Sequence, residues 1–308
     1  MFNLLRADLW RFFNTNRLRG QFWSYFAVIV AMALLVFGLI AFVGSEAYAN
    51  FTADMDPESI SEDPSLSVYL SSITTMLAYG FVTGGFFPLV CGFCAAEFTL
   101  SDLKAGYLKN IVSGVRGKLA YFTEKLAFCC IASAILLAVL TAACLLSAFV
   151  FRLVPAGESI ARIAGWLALT WLNGCAFAAL TVVAVWAVRG PALSYIWAIL
   201  LSTGVLRELI MGLAYSSGGA LRVLQPIAPA LKFVASWIPS TATQLLSQGG
   251  VVFDMPMAVD GVSIFDGAIA SGTAGLFGAG VQTLIISVLW TAIACALALA
   301  IARKRDVA

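Results

Sequence analysis

Cys91 and Cys94, in the run CGFC, stand at the spacing of a dithiol redox pair, and GVRGKLA at 114–120 carries the Gly-Lys pair of a phosphate-binding loop. Neither is complete as chemistry. The two cysteines lie in an apolar run with no histidine or acid cluster beside them, so they read as buried thiols that pack like small hydrophobes. The Gly-Lys stretch lacks the first glycine at the right distance, and Leu119 stands where a Ser or Thr would hold magnesium. The chain has no histidine at all, which removes His-based catalytic dyads and His-ligated metal sites. The remaining acids are scattered over predicted loops. No catalytic or metal-binding set is expected, and no cofactor on this chain.

Polar groups within long apolar runs are the other place where chemistry concentrates, because a charge inside a bilayer costs from about 2.5 kcal/mol upward. Arg207 and Glu208, in STGVLRELIMGLAY, are an adjacent pair of this kind. Snorkelling to the headgroups or mutual pairing is one reading of them, and a substrate contact is the other. Asn173 is a candidate interhelical hydrogen-bonding group.

The elements that must position these residues follow from composition. With 61% hydrophobic and 11% charged residues, the chain has more apolar side chain than a soluble domain of 308 residues could hide. Its mean hydropathy is +0.96. A helix needs about 20 predominantly apolar residues to cross the hydrocarbon. Six runs of that kind occur, near 22–44, 73–96, 126–151, 164–188, 192–214 and 279–302. The expected fold is an all-α integral membrane bundle of six transmembrane helices. All seven cysteines fall within these runs, so no disulfide framework is expected. Gly80, Gly84, Gly85 and Pro88 should let the second run pack closely and bend.

Basic residues collect in loops on one side. Arg6, Arg11, Arg17 and Arg19 precede the first run, Lys104 to Lys125 follow the second, Arg189 sits in the next such turn, and the tail ends IARKRDVA. The loop after the first run has no Lys or Arg and six acids, from Glu46 to Asp63. Both termini are therefore expected in the cytoplasm. Ala47-Tyr48-Ala49 has the look of a signal-peptide cleavage site, yet the apolar run before it is long enough to span rather than to be removed.

Residues 1–21 are expected to form a separate unit ahead of the membrane bundle of 22–308. Leu5, Leu9 and Phe12 or Phe13 recur at helical spacing with Arg6, Asp8 and Arg11 between them, an amphipathic helix for the inner membrane surface, either as a lipid anchor or as a contact element. Residues 215–278 are apolar but interrupted by Pro226, Pro229 and Pro239 and by Lys232. They fit an outer cap or a re-entrant segment sheltered by protein, and Ser271, Gly275 and Ala279 give a close-packing face leading into the last helix.

The most charged stretch is 97–125, EFTLSDLKAGYLKNIVSGVRGKLAYFTEK. Leu100, Leu103, Tyr107, Leu108, Ile111 and Val112 alternate there with charges, which reads as a short amphipathic helix broken near 113–117. Its pattern resembles the loop between the second and third membrane helices of type-2 ABC transporter permeases, the exporter family that includes peptide-antibiotic immunity permeases. Glu97, Gly106, Lys109, Asn110, Ser113, Gly114 and Lys125 match the family's run. Gly117-Lys118 stands where Ser-Arg is usual, which keeps the charge and loses the fork of a bidentate Arg contact.

The resemblance implies a cytoplasmic coupling loop at 97–125, in which Lys118 also takes part. It implies a separate ABC ATPase subunit that binds ATP and magnesium, and a second permease subunit, like or unlike, across a central pathway. Membrane lipid is the remaining expected partner, and no nucleic acid. The location implied is a bacterial cell membrane, and the cargo a peptide antibiotic, a lipid or a small hydrophobic compound. An ion-coupled secondary transporter and a non-transport assembly factor are the alternatives of other classes.

Overall fold

The computed structural model describes residues 2–14, 21–43, 45, 70–104, 115–216, 226–255, 258–259, 262–263 and 278–304. Among them the secondary structure is helical apart from a hairpin of two-residue strands, β1 (Ala258–Val259) paired antiparallel with β2 (Val262–Ser263). Five helical segments are long and apolar enough to cross a membrane, and a bent pair makes a sixth if it is one span. The protein is a multi-pass helical membrane protein.

Helix α1 (Phe2–Asn14) is followed by α2 (Gln21–Val43), whose outward face carries Trp23, Phe26, Leu34, Leu35, Leu39 and Phe42. Such a face is stable against lipid, not against water. The second segment, Ile73–Lys104, is a composite. A short α3 (Ile73–Leu77) passes through a π-turn (Ala78–Val82) and a 3-10 turn (Thr83–Gly85) into α4 (Phe86–Lys104). Gly84 and Gly85 both sit at φ 76, which ends the regular ladder, and the Ala78 carbonyl accepts both the Thr83 backbone N–H and the Thr83 hydroxyl, the latter at 3.1 Å. The bend expected from the glycines is present. The helix runs on to Lys104, so the first part of the charged stretch continues the second span instead of starting a separate helix.

Helix α5 (Val115–Val150) begins well before the apolar run that announced it, because its first turns bury Tyr121, Phe122, Glu124 and Lys125 against neighbours rather than in lipid. Helix α6 (Ile160–Val188) is the central element, and 78% of its most apolar window is buried. It packs on α4 at very short range. A Cβ on Gly174 would lie 2.7 Å from the Phe87 ring, so glycine there is what allows the two helices to close on one another.

The fifth apolar run, expected as one continuous span, is broken. Helix α7 (Pro191–Ser202) and helix α8 (Val205–Ser216) meet at 59° across Thr203-Gly204. Ser202 and Thr203 donate their hydroxyls to the Ala198 and Ile199 carbonyls at 2.8 Å, and the Ile199 carbonyl also accepts the Thr203 N–H at 3.0 Å, so both side chains turn back onto the last turn of α7. The two interrupted spans touch at their interruptions, where Gly85 lies directly against the carbonyl of Ser202.

The described part of the interrupted segment folds as α9 (Ala228–Ser236), α10 (Pro239–Leu246) and a 3-10 turn (Gly249–Phe253). Pro229 and Pro239 stand in the first turns of their helices, where a missing N–H is no loss. Carbonyls at the other ends are met by side chains of the bundle. Trp166 Nε1 donates to the Leu246 carbonyl at 3.0 Å, Trp290 Nε1 to Trp237 at 2.7 Å, and Gln282 Nε2 to Ser236 at 3.3 Å. These bonds shelter the helix ends within protein, which non-helical backbone would require wherever it meets lipid. Ser271 and Gly275 lie outside the described residues, while Ala279 opens the last helix, α11 (Ala279–Lys304), and is fully buried.

Candidate functional site

The densest set of ionic groups among the described residues lies where α1, the end of α4 and the start of α5 meet. In α1 the stripe Leu5, Asp8, Leu9 and Phe12 follows helical spacing, which puts Asp8 on the apolar face and not between it and solvent. Phe98 and Asp102 share a face of α4, and Tyr121, Lys125 and Phe128 share one of α5. When these three faces pack, Asp8, Asp102 and Lys125 are enclosed, with Arg11 at the rim.

Lys125 is the hub. Its Nζ donates to Asp102 Oδ2 at 2.6 Å and to Asp8 Oδ2, and its side chain is only 2% exposed. Arg11 Nη1 donates to Asp102 Oδ1 at 2.8 Å and to Asp8 Oδ1 at 3.2 Å, from a position 30% exposed at the rim. Tyr121 adds a hydroxyl donated to Asp102 Oδ2 at 3.1 Å. Aromatic rings complete the enclosure. Phe98 and Phe128 stack with centroids 4.3 Å apart, and Lys125 Nζ lies 4.7 Å from the Phe98 centroid. Two carboxylates and two cations, each with several partners, meet the condition under which buried charges are tolerated.

This arrangement has no activated nucleophile. What it can do is mechanical: an amphipathic helix whose apolar stripe packs on the bundle is bound by charge, too, to both ends of the segment joining α4 to α5. Glu97 is held separately, accepting a 2.9 Å hydrogen bond from Tyr25 on α2. A Tyr25→Phe variant should lose about 1 to 2 kcal/mol of stability through that bond. Thermal melting in detergent checks this, and an unshifted midpoint would count against it.

Of the residues matching the coupling pattern, Gly106, Lys109, Asn110, Ser113 and Gly114 lie outside the described residues. Lys118 falls in the first turn of α5. Lys125 points inward, so any contribution it makes to a docking surface runs through the position of α1. The structure brings Lys125 together with Asp8 and Asp102, not with Glu97. Sequence reasoning passed over Asp102 and Tyr121, and it read Asp8 as a polar-face residue. The available signal was the placement of Asp8 in register with Leu5 and Phe12.

The intramembrane polar candidates sit elsewhere. Asn173 Nδ2 donates to Thr243 Oγ1 at 2.9 Å, joining α6 to α10. Arg207 Nη1 pairs with Glu208 Oε1 at 2.6 Å, and Gln244 Nε2 reaches the same oxygen at 3.3 Å. Glu208 is largely exposed, which fits mutual pairing at a surface. At the far end of α6, Glu158 accepts from Thr74 N at 3.0 Å and from its hydroxyl, and Thr74 Oγ1 accepts from Gly250 N at 2.7 Å. That set ties α3 to the residues leading into α6 and to the 3-10 turn Gly249–Phe253.

All seven cysteines are free thiols, Cys91 and Cys94 among the buried ones, and no group of three or more metal-ligating side chains occurs among the described residues. No family model, curated protein or solved structure matches the chain. The likeness to type-2 ABC permeases therefore rests on the residues quoted for it.

Proposed function

We propose that the chain is the membrane-spanning subunit of an ATP-driven exporter, in which ATP is bound and hydrolysed by a separate cytoplasmic subunit. One observation carries the reading furthest: the N-terminal helix and the two helices flanking 105–114 are bound into one unit by Asp8, Arg11, Asp102 and Lys125. A force applied at that segment would reach α1, α4 and α5 together. Rigid helices then carry it toward the two interrupted spans, which are the elements of the bundle able to change angle without breaking a continuous ladder. The segment 97–125 and both termini lie in the cytoplasm in this proposal, in a bacterial cell membrane, with a second permease subunit across the pathway.

An ion-coupled carrier would need no ATPase. Purification of the full chain in mild detergent from its native host discriminates the two, since the exporter reading expects a nucleotide-binding protein to co-purify. Replacing Lys109 and Lys118 together by Glu should cut recovery of that partner and the ATP turnover of the complex about tenfold or more, as expected when rim cations that steer and hold a docking surface are reversed. Unchanged recovery and turnover would refute the docking role. Impermeant labelling that reaches 105–114 from outside the cell would overturn the proposed orientation.

A further inference from the structure

Glu124 is the buried ionisable group that the clamp does not use. It is 1% exposed, and its Oε1 is sealed from water with no hydrogen-bond partner. Its carboxyl lies within hydrogen-bonding reach of that of Asp8. Both Asp8 oxygens already accept, one from Arg11 and one from Lys125.

Among the described residues, Lys125 is the cation set against Glu124. The charged and titratable groups facing it are Asp8 from α1, Asp102 from α4, and Lys125, Tyr121 and Cys129 from its own helix α5. Arg11 pairs with the other two acids, Asp8 and Asp102. Among the described residues three carboxylates would thus stand against two cations, leaving one uncompensated negative charge beside another carboxylate in a site that is 1% exposed. Two carboxyl groups at that range do not both ionise. The described residues provide no metal-ligating group that would supply the missing charge instead.

We propose that Glu124 is a proton-binding site, whose carboxyl keeps a proton and donates it to the carboxylate of Asp8. The proton turns a repulsion between α1 and α5 into a hydrogen bond, so its occupancy controls docking of the N-terminal helix. Release gives a glutamate anion and one proton to water at the exposed rim by Arg11, and docking weakens as pH rises. The sign follows because the docked state binds a proton that a free glutamate gives up at neutral pH. This inference does not rest on the exporter reading, and either can fail alone.

The test uses the purified full chain in detergent at acid, neutral and alkaline pH. Infrared spectra of the wild type should show a protonated-carboxyl band at neutral pH that is absent from Glu124→Gln and fades in alkali. Hydrogen exchange of the α1 amides, corrected for the intrinsic effect of pH, should accelerate about tenfold or more in alkali for the wild type, the size of one pK unit of differential interaction. In Glu124→Gln, which keeps a neutral donor, that acceleration should be lost. Asp8→Asn should likewise lose the neutral-pH band. If neither variant folds, the wild-type band decides alone: its absence at neutral pH overturns the proposal. So does equal exchange in wild type and Glu124→Gln at every pH. Restoration of α1 protection in alkali by added sodium or potassium would assign the site to an alkali cation and overturn it too.

Discussion

Replacing Lys125 by Met is expected to cost about 3 to 5 kcal/mol, the range for removing one partner from a buried ionic set. Asp8 and Asp102 each lose a donor that water cannot replace, since they are 4% and 0% exposed. Arg11 still reaches both, but from the rim and at longer range to Asp8. The deficit falls on the seam between α1 and the α4–α5 pair, so α1 should detach before the bundle melts. Tryptic cleavage after Arg11 should become rapid, and the melting midpoint should fall. Removing Asp8 as well, in Lys125→Met with Asp8→Asn, takes out a carboxylate along with its cation and should recover part of the loss. A single variant with wild-type melting and wild-type resistance to trypsin would show that the cluster does not hold α1.

Gly85→Ala should be as severe, and Gly84→Ala much milder, although both residues have φ 76. A side chain at that φ costs about 1 to 2 kcal/mol in either case. The difference is steric. A Cβ on Gly85 would lie 2.1 Å from the Ser202 carbonyl oxygen and 2.9 Å from its carbon, whereas one on Gly84 meets nothing within 4 Å. The obstacle is backbone, so no rotamer change relieves it, and the two broken spans must separate at a further cost of about 1 to 3 kcal/mol. Melting of the two variants side by side measures this contact with the backbone term cancelled. Equal destabilisation would mean that the breaks do not bear on each other. A Gly85→Ala protein that folds but has lost transport would place the meeting of the breaks within the working cycle.

The helical class, the approximate positions of the apolar runs and the bend of the second were legible in the sequence, because each depends on local properties. Apolar length decides what lipid will accept, and glycine and proline act on their own backbone. The break at Thr203-Gly204 was not legible. Its hydroxyls turn back onto their own helix from within a run that is apolar on average, and hydropathy averages over such an interruption. The early start of α5 escaped for a related reason: Glu124 and Lys125 looked like the edge of a span, whereas their burial against α1 and α4 continues the helix past it.

The same division runs through the candidate site. Sequence by itself determined that the protein is a helical membrane bundle without a histidine or a complete phosphate loop, and that its charges gather near residues 97–125 and at the N-terminus. Tertiary structure alone decided that Lys125 turns inward to join Asp8 and Asp102, residues 117 and 23 positions away. Hydropathy and spacing report on neighbours along one helix, but a charge is placed by which distant carboxylates share its enclosure, and only the packing of three helices supplies that.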